Sequence, residues 1–140
     1  MRPSREPLFR IVEHEADIGF EVCGRDEAEL LEHAGHALLS LITDPGAVEA
    51  RSKRHIVLER GKEQLVVFLN ELLYLWETDQ FLPRYFSVRV KRKRIKVEMT
   101  GDTFDPARHP VYREIKAATY HKFAVRREAD LFRATVYLDI

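Results

Sequence analysis

The stretch HEADIGFEV, residues 14–22, sets a histidine and two carboxylates at the head of an alternating run. From Ile18 onward, Ile18, Phe20 and Val22 fall on one side and Gly19, Glu21 and Cys23 on the other, the two-residue period of a half-buried strand. The same period turns Asp17 to the face away from the core. A strand of this kind needs neighbours to pair with and an apolar layer to cover it.

Residues 8–13 supply a short strand before it. After CGR a helix begins: Asp26 as N-cap with Glu29 three residues on resembles a capping box, and acidic residues suit the positive end of the helix dipole. Leu31, Ala34, Leu38, Leu41 and Ile42 recur at helical spacing until TDPG, residues 43–46, stops the helix. A short strand over 54–59 and a turn at Gly61 lead to a second helix over 63–79, EQLVVFLNELLYLWETD. Its polar stripe is confined to Glu63, Asn70, Glu71, Glu77 and Thr78, which predicts a largely buried helix against a sheet and the first helix.

Residues 85–90 and 95–99 alternate and are joined by KRKR, a hairpin with a charged tip. Residues 100–110, TGDTFDPARHP, read as a loop, and 114–126 with 131–140 form a second hairpin around READ. In the last strand Phe132, Ala134, Val136, Leu138 and Ile140 share one face, and Arg133, Thr135, Tyr137 and Asp139 the other. Hairpin connections in place of βαβ units predict an α+β fold, two helices packed on a mainly antiparallel sheet of about six strands. Residues 1–140 are expected to form a single domain without internal repeats.

A chain of 140 residues can bury roughly two-thirds of its unfolded surface. Hydrophobic residues at 45% and charged residues at 33% indicate a globular rather than a disordered protein. The 23 basic and 23 acidic residues cancel, which disfavours wholesale electrostatic binding of nucleic acid. Cys23 is the single cysteine, so an internal disulfide and a multi-cysteine zinc site are excluded and a reducing compartment suits the chain. No apolar leader and no run of membrane-spanning length is visible, so a soluble cytoplasmic protein is expected.

Asp17 opens an early strand and Asp139 closes the last, both on the non-core face, and the terminal carboxylate of Ile140 adjoins Asp139. If these strand ends meet, converging oxygen donors need a cation or a shifted pKa, and hard oxygen ligands favour calcium or magnesium over zinc. The alternative is a pair of solvated surface aspartates. His14 and Glu15 extend such a site as ligands or ligand supports, or else form a polar bend.

His33 and His36 are three apart on the first helix, not at the four-residue spacing of helical zinc pairs, and are assigned to the surface. His121 falls in phase with Ile115, Ala117, Thr119 and Phe123, on a buried or cleft face where it serves either as a hydrogen-bonded core residue or in catalysis. His109, in the 100–110 loop, is the weaker candidate. The run KRKRIK, residues 91–96, can touch phosphates, but without interleaved exposed aromatics it reads as a solvated tip that guards a strand edge. No phosphate-binding glycine loop, serine elbow or spaced cysteines mark an independent reaction centre.

Taken together, HEADIGFEVCG at 14–24, VVFLNELLYLWETD at 66–79, GDTFDPARHPVYREIKAATYHKF at 101–123 and the final YLDI resemble the archease family, in order over nearly the whole chain. Two positions depart from the family's habit: Glu15 stands where threonine is common and Ala118 where valine is common. The resemblance implies an accessory protein of the RtcB-type RNA ligase, which joins tRNA halves and other broken RNAs using GTP. It implies a role in promoting guanylylation of that ligase's active-site histidine and its multiple turnover. It further implies a divalent-cation site at Asp17, Asp139 and Ile140, calcium ahead of magnesium or manganese, with tRNA reached only through the ligase. His14 and Glu15 would stand beside that site, and Lys116 and His121, in EIKAATYH, are further candidate functional residues. The competing readings are an autonomous metal-dependent phosphohydrolase or nuclease with His121 as base, and a chaperone-like modulator of RNA-modifying enzymes.

Overall fold

In the computed structural model, which describes residues 8–13 and 17–140, the strands β1 (Phe9–Glu13) and β2 (Asp17–Gly24) precede helix α1 (Glu27–Ile42). Next come β3 (Ser52–Glu59), helix α2 (Gln64–Asp79), β4 (Phe81–Val90), β5 (Arg94–Thr103), β6 (Ala117–Glu128) and β7 (Leu131–Asp139). The α+β class and the antiparallel pairing are as the sequence predicts, but the described residues form seven strands divided into two sheets. One has the order β1-β2-β7-β6 and the other β3-β5-β4. The strands of each sheet pair antiparallel throughout. The helices are packed between the sheets, α1 touching β2 and β4 and α2 touching β6, β3 and β4.

Local chemistry sets the helix ends. Asp26 caps α1 by accepting the Glu29 N–H at 2.8 Å, while the Glu29 carboxylate accepts the Arg25 N–H at 3.0 Å, one residue further back than in a regular capping box. Gln80 stops α2 in the left-handed region at φ 53°. Inward-facing Ile18, Phe20, Val22, Val136 and Leu138 meet Leu31, Leu38, Phe68, Leu69 and Leu72 in one hydrophobic core. Gly35 permits a close crossing: a Cβ there would lie 2.6 Å from the Phe86 ring of β4.

Helix α2 is less enclosed than its apolar breadth predicts. Leu65, Val66, Phe68, Leu69, Leu72 and Leu73 are buried, but Val67, Glu71 and Tyr74 form an exposed stripe, Tyr74 at 61% exposure. Thr100–Thr103, expected in a loop, complete β5 opposite β3 and β4.

The segment after β5 straps the molecule together through buried charge. Arg113 donates to the Leu41 carbonyl at 2.7 Å, satisfying the end of α1, and the Tyr112 N–H donates to Ile42 at 2.8 Å. Asp102 is buried beside Arg108 at 2.9 Å and Arg51 at 3.8 Å, and it accepts the Thr103 N–H at 2.8 Å. Burial pushes the Asp102 carboxyl up, but these three partners outweigh it and hold the group below the usual carboxylate range. A carboxyl depressed in the folded state stabilises above its unfolded value of about 3.9 and ceases to do so as pH falls through the lower folded value. The urea midpoint should therefore fall as pH drops below about 4, and more shallowly in Asp102→Asn than in the parent. Parallel declines in the two proteins would assign acid sensitivity to other carboxylates.

Candidate metal centre

The first residue of β2 lies opposite the last of β7. The register runs Asp17↔Asp139, Ile18↔Leu138, Gly19↔Tyr137 and on to Gly24↔Phe132. Residues directly opposite in an antiparallel pair hold their Cβ atoms about 4.5–5.5 Å apart and share a face, so the two carboxylates are neighbours at one rim of the four-stranded sheet. Buried Ile18, Phe20 and Val22 fix the inward face, which turns Asp17 outward as the alternation predicts.

The rim is closed on its other side by β6. Asp139 is paired with Ala117 as well as Asp17, and its carbonyl accepts the Lys116 N–H at 2.8 Å. The sequence left the importance of Asn70 unread, placing it in a polar stripe of α2. Its amide donates to the Ala118 carbonyl at 3.1 Å and accepts the Ala118 N–H at 2.8 Å, acting as a substitute strand partner for the edge of β6. Nothing local marks it, because the partner is 48 residues away.

Beside the aspartates the sheet is tightly fitted around the buried ring of Tyr137. A Cβ on Gly19 would lie 2.6 Å from the Val136 carbonyl oxygen and 2.8 Å from the Tyr137 ring, so glycine is what lets that ring lie against the backbone. Lys122, at φ 54°, carries its ammonium 5.9 Å from the Tyr137 ring centroid.

Two like charges set opposite each other are unfavourable without a cation or proton. One oxygen of Asp17, Oδ1, is buried without a hydrogen-bond partner, while Asp139 is exposed. This donor set, hard oxygens with an unsatisfied buried acceptor, fits an oxygen-preferring divalent cation. Among the described residues no third histidine, cysteine or acidic side chain joins the pair. The rest of a coordination shell would be main-chain oxygen from Ile140, water or a partner's groups.

The other candidates are distributed differently. His14 and Glu15 lie outside the described residues. Lys116 is exposed and reaches Asp139 through its backbone. His121, expected in phase on a buried or cleft face, is instead exposed. The β6–β7 register shifts between Thr119 and Ala124, and this bulge breaks the alternation on which the expectation rested.

His33 and His36 are half-buried rather than on the surface. His33 Nδ1 donates to the Cys23 carbonyl at 2.6 Å, and His36 packs edge-on against Phe86 at 5.2 Å, where burial lowers its pKa. His109 is 2% exposed, with Nδ1 accepting the Asp105 N–H at 2.9 Å; it belongs to the strap, not to the rim.

Comparison with known proteins follows the same lines. The model of the Archease protein family (MTH1598/TM1083) matches residues 9–140. The protein archease of Methanosarcina acetivorans is 34% identical over 145 residues, covering 99% of each chain. That of Methanopyrus kandleri is 36% identical over 135 residues, covering 92% of this chain and 96% of its own. The solution structure of Methanobacterium thermoautotrophicum protein 1598 aligns with a TM-score of 0.85 at 28% identity over 95% of this chain and 99% of that one. A Thermotoga maritima crystal structure, described as an archease and possible chaperone, has a TM-score of 0.66 at 21% identity over 100% of both chains, a likeness of fold alone.

Asn70→Ala should cost about 1–3 kcal/mol, because it strands the Ala118 N–H and carbonyl in a half-buried setting. Urea denaturation measures that loss, and amide exchange should accelerate at Ala118 and at Lys116, whose N–H depends on the same strand end. Unaltered exchange at both positions would show that β6 is held without the clamp.

Proposed function

Because the chain belongs to the archease family, we propose that it is a non-enzymatic accessory protein that activates an RtcB-type RNA ligase, promoting GTP-dependent guanylylation and multiple turnover. The observation that supports this most is the pairing of Asp17 with Asp139, together with the unpartnered buried oxygen of Asp17. These residues and the main-chain oxygen of Ile140 would hold a divalent cation, calcium by preference and magnesium or manganese as alternatives. Such a cation supplies positive charge against phosphate oxygens when bound.

The chain's own contribution is presentation. Strands β2, β7 and β6 fix the rim on three sides, and exposed Asp139 with Ile140 can enter a concave site on the ligase. The Tyr137 ring over Gly19 keeps the adjoining surface filled, so the aspartates work from a rigid base. An uncovered acidic rim repels RNA phosphates, so at this end tRNA is reached through the ligase. No helix among the described residues is long and apolar enough to cross a membrane. A chaperone-like role toward other RNA-modifying enzymes predicts binding that survives loss of the metal site, and an autonomous nuclease predicts RNA turnover without ligase.

Guanylylation of the cognate ligase, followed with and without this protein, tests the reading. Asp17→Ala and Asp139→Ala should each abolish the stimulation. Without added cation, both variants should be at least as stable as the parent, because an opposed like charge has been removed. Saturating calcium should stabilise only the parent, by about 2.7 kcal/mol at a hundredfold excess over Kd. Unchanged multiple-turnover ligation in both variants would overturn the proposal.

A further inference from the structure

The basic run at 91–96 is not an isolated tip. In the three-stranded sheet, Lys53, Thr100 and Tyr85 form one cross-strand row, His55, Glu98 and Ser87 the next, and Val57, Lys96 and Arg89 a third. The helices cover the opposite face, where Phe86 packs against Phe68 and would meet any side chain at Gly35, so these rows face solvent. They surround a shallow depression of about 350 Å³ lined by His55, Val57, Ser87, Arg89, Lys96 and Glu98. Lys91, Arg92 and Lys93 project from the adjoining hairpin end, and Arg94 shares the open face opposite Glu59.

Charge on this surface is far from balanced. The face and tip carry seven basic residues against two acidic ones, Glu59 and Glu98, in a chain whose charges cancel overall. Glu98 is already engaged by His55 at 3.0 Å and Lys53 at 3.9 Å. No ion pair among the described residues engages Arg89, Lys91, Arg92, Lys93, Arg94 or Lys96. Unpaired cations concentrated on one face are an electrostatic footprint for a polyanion.

The aromatics missing from the linear run are supplied by neighbouring strands. Tyr85 is 53% exposed, with the Arg84 guanidinium 4.9 Å from its ring centroid, and His55 is exposed in the adjacent row. Exposed rings set among cations on an open sheet can stack unpaired bases while the cations follow the phosphates. A bare phosphate surface would not need the rings, and a duplex would keep its bases from them.

We propose that the outer face of the β3-β5-β4 sheet, with the basic end of the β4–β5 hairpin, binds single-stranded RNA directly. This site is distinct from the aspartate rim and requires neither the ligase nor a metal. Fluorescence anisotropy with a short unstructured single-stranded RNA, in EDTA and without ligase, tests it independently of the activation reading. The parent should bind at about 50 mM salt, with an affinity that falls steeply as salt rises. Arg89→Gln combined with Lys96→Gln should weaken binding on the order of tenfold and reduce the salt slope by about 0.7 per lost contact. Tyr85→Ala should weaken it by about fivefold or more, and Tyr85→Phe should preserve it.

Circular dichroism and urea midpoints like the parent's would confirm that these exposed substitutions leave the fold intact. The proposal is overturned by absence of binding at low salt, or by binding indifferent to the charge variants. Equal affinity for duplex RNA with no effect of Tyr85→Ala also overturns it, by reducing the interaction to phosphate attraction. Variants that spare RNA affinity but abolish ligase association would assign the face to a protein partner instead.

Discussion

Eight residue pairs join β2 to β7, bringing together segments from nearly opposite ends of the chain. Their register is dictated by burial. Ile18, Phe20 and Val22 must face the same core as Ala134, Val136 and Leu138, and a slip of one residue would turn either set into water. Each such side chain gains about 1.5–3 kcal/mol on burial, whereas two like charges at this spacing repel by about 1–4 kcal/mol near a surface. The core therefore outweighs the repulsion and holds Asp17 opposite Asp139 whether or not a cation is present. The acidic pair is a consequence of apolar packing several residues away.

Interposing both helices between the sheets leaves each sheet an outer face that no helix covers. On the four-stranded sheet that face ends in carboxylates at the rim, with Tyr137 beside them. On the three-stranded sheet it carries the unpaired lysines and arginines. Zero net charge thus conceals an acidic pair at one rim and a concentration of cations on the other sheet's open face. Composition averages over the separation that the fold creates, so a net charge of zero does not describe any one face.

The parts of the structure legible in sequence are those written in local periodicity and end signals. Alternation over 18–22 and 131–139, the Asp26 cap and the KRKR turn each depend on residues a few positions apart. The pairing of Asp17 with Asp139 could be posed but not resolved, since periodicity sets a face and not a register between distant strands. The β6 bulge left no such mark: Lys122 takes a left-handed backbone conformation without being glycine, so the phase of His121 read true only up to Thr119. Asn70, Asp102 and Arg108 were equally silent, because a polar side chain looks the same in sequence whether solvated or clamped to a distant strand. Tyr74 and Val67 misled in the other direction, being apolar residues that the second layer of strands does not reach.

The long reach of the β2–β7 ladder also bears on the order in which the molecule assembles. The β4–β5 hairpin and the two helices can form from near neighbours in the chain, while β2 must wait for a partner more distant than any other. Closing so large a loop costs conformational entropy before the contacts it permits can repay it, and such pairings set slow folding steps. The acidic rim consequently depends on the longest-range ladder of the fold. A chain in which β2 and β7 have not paired does not juxtapose the two aspartates, so a partner that read the rim would also read completed folding.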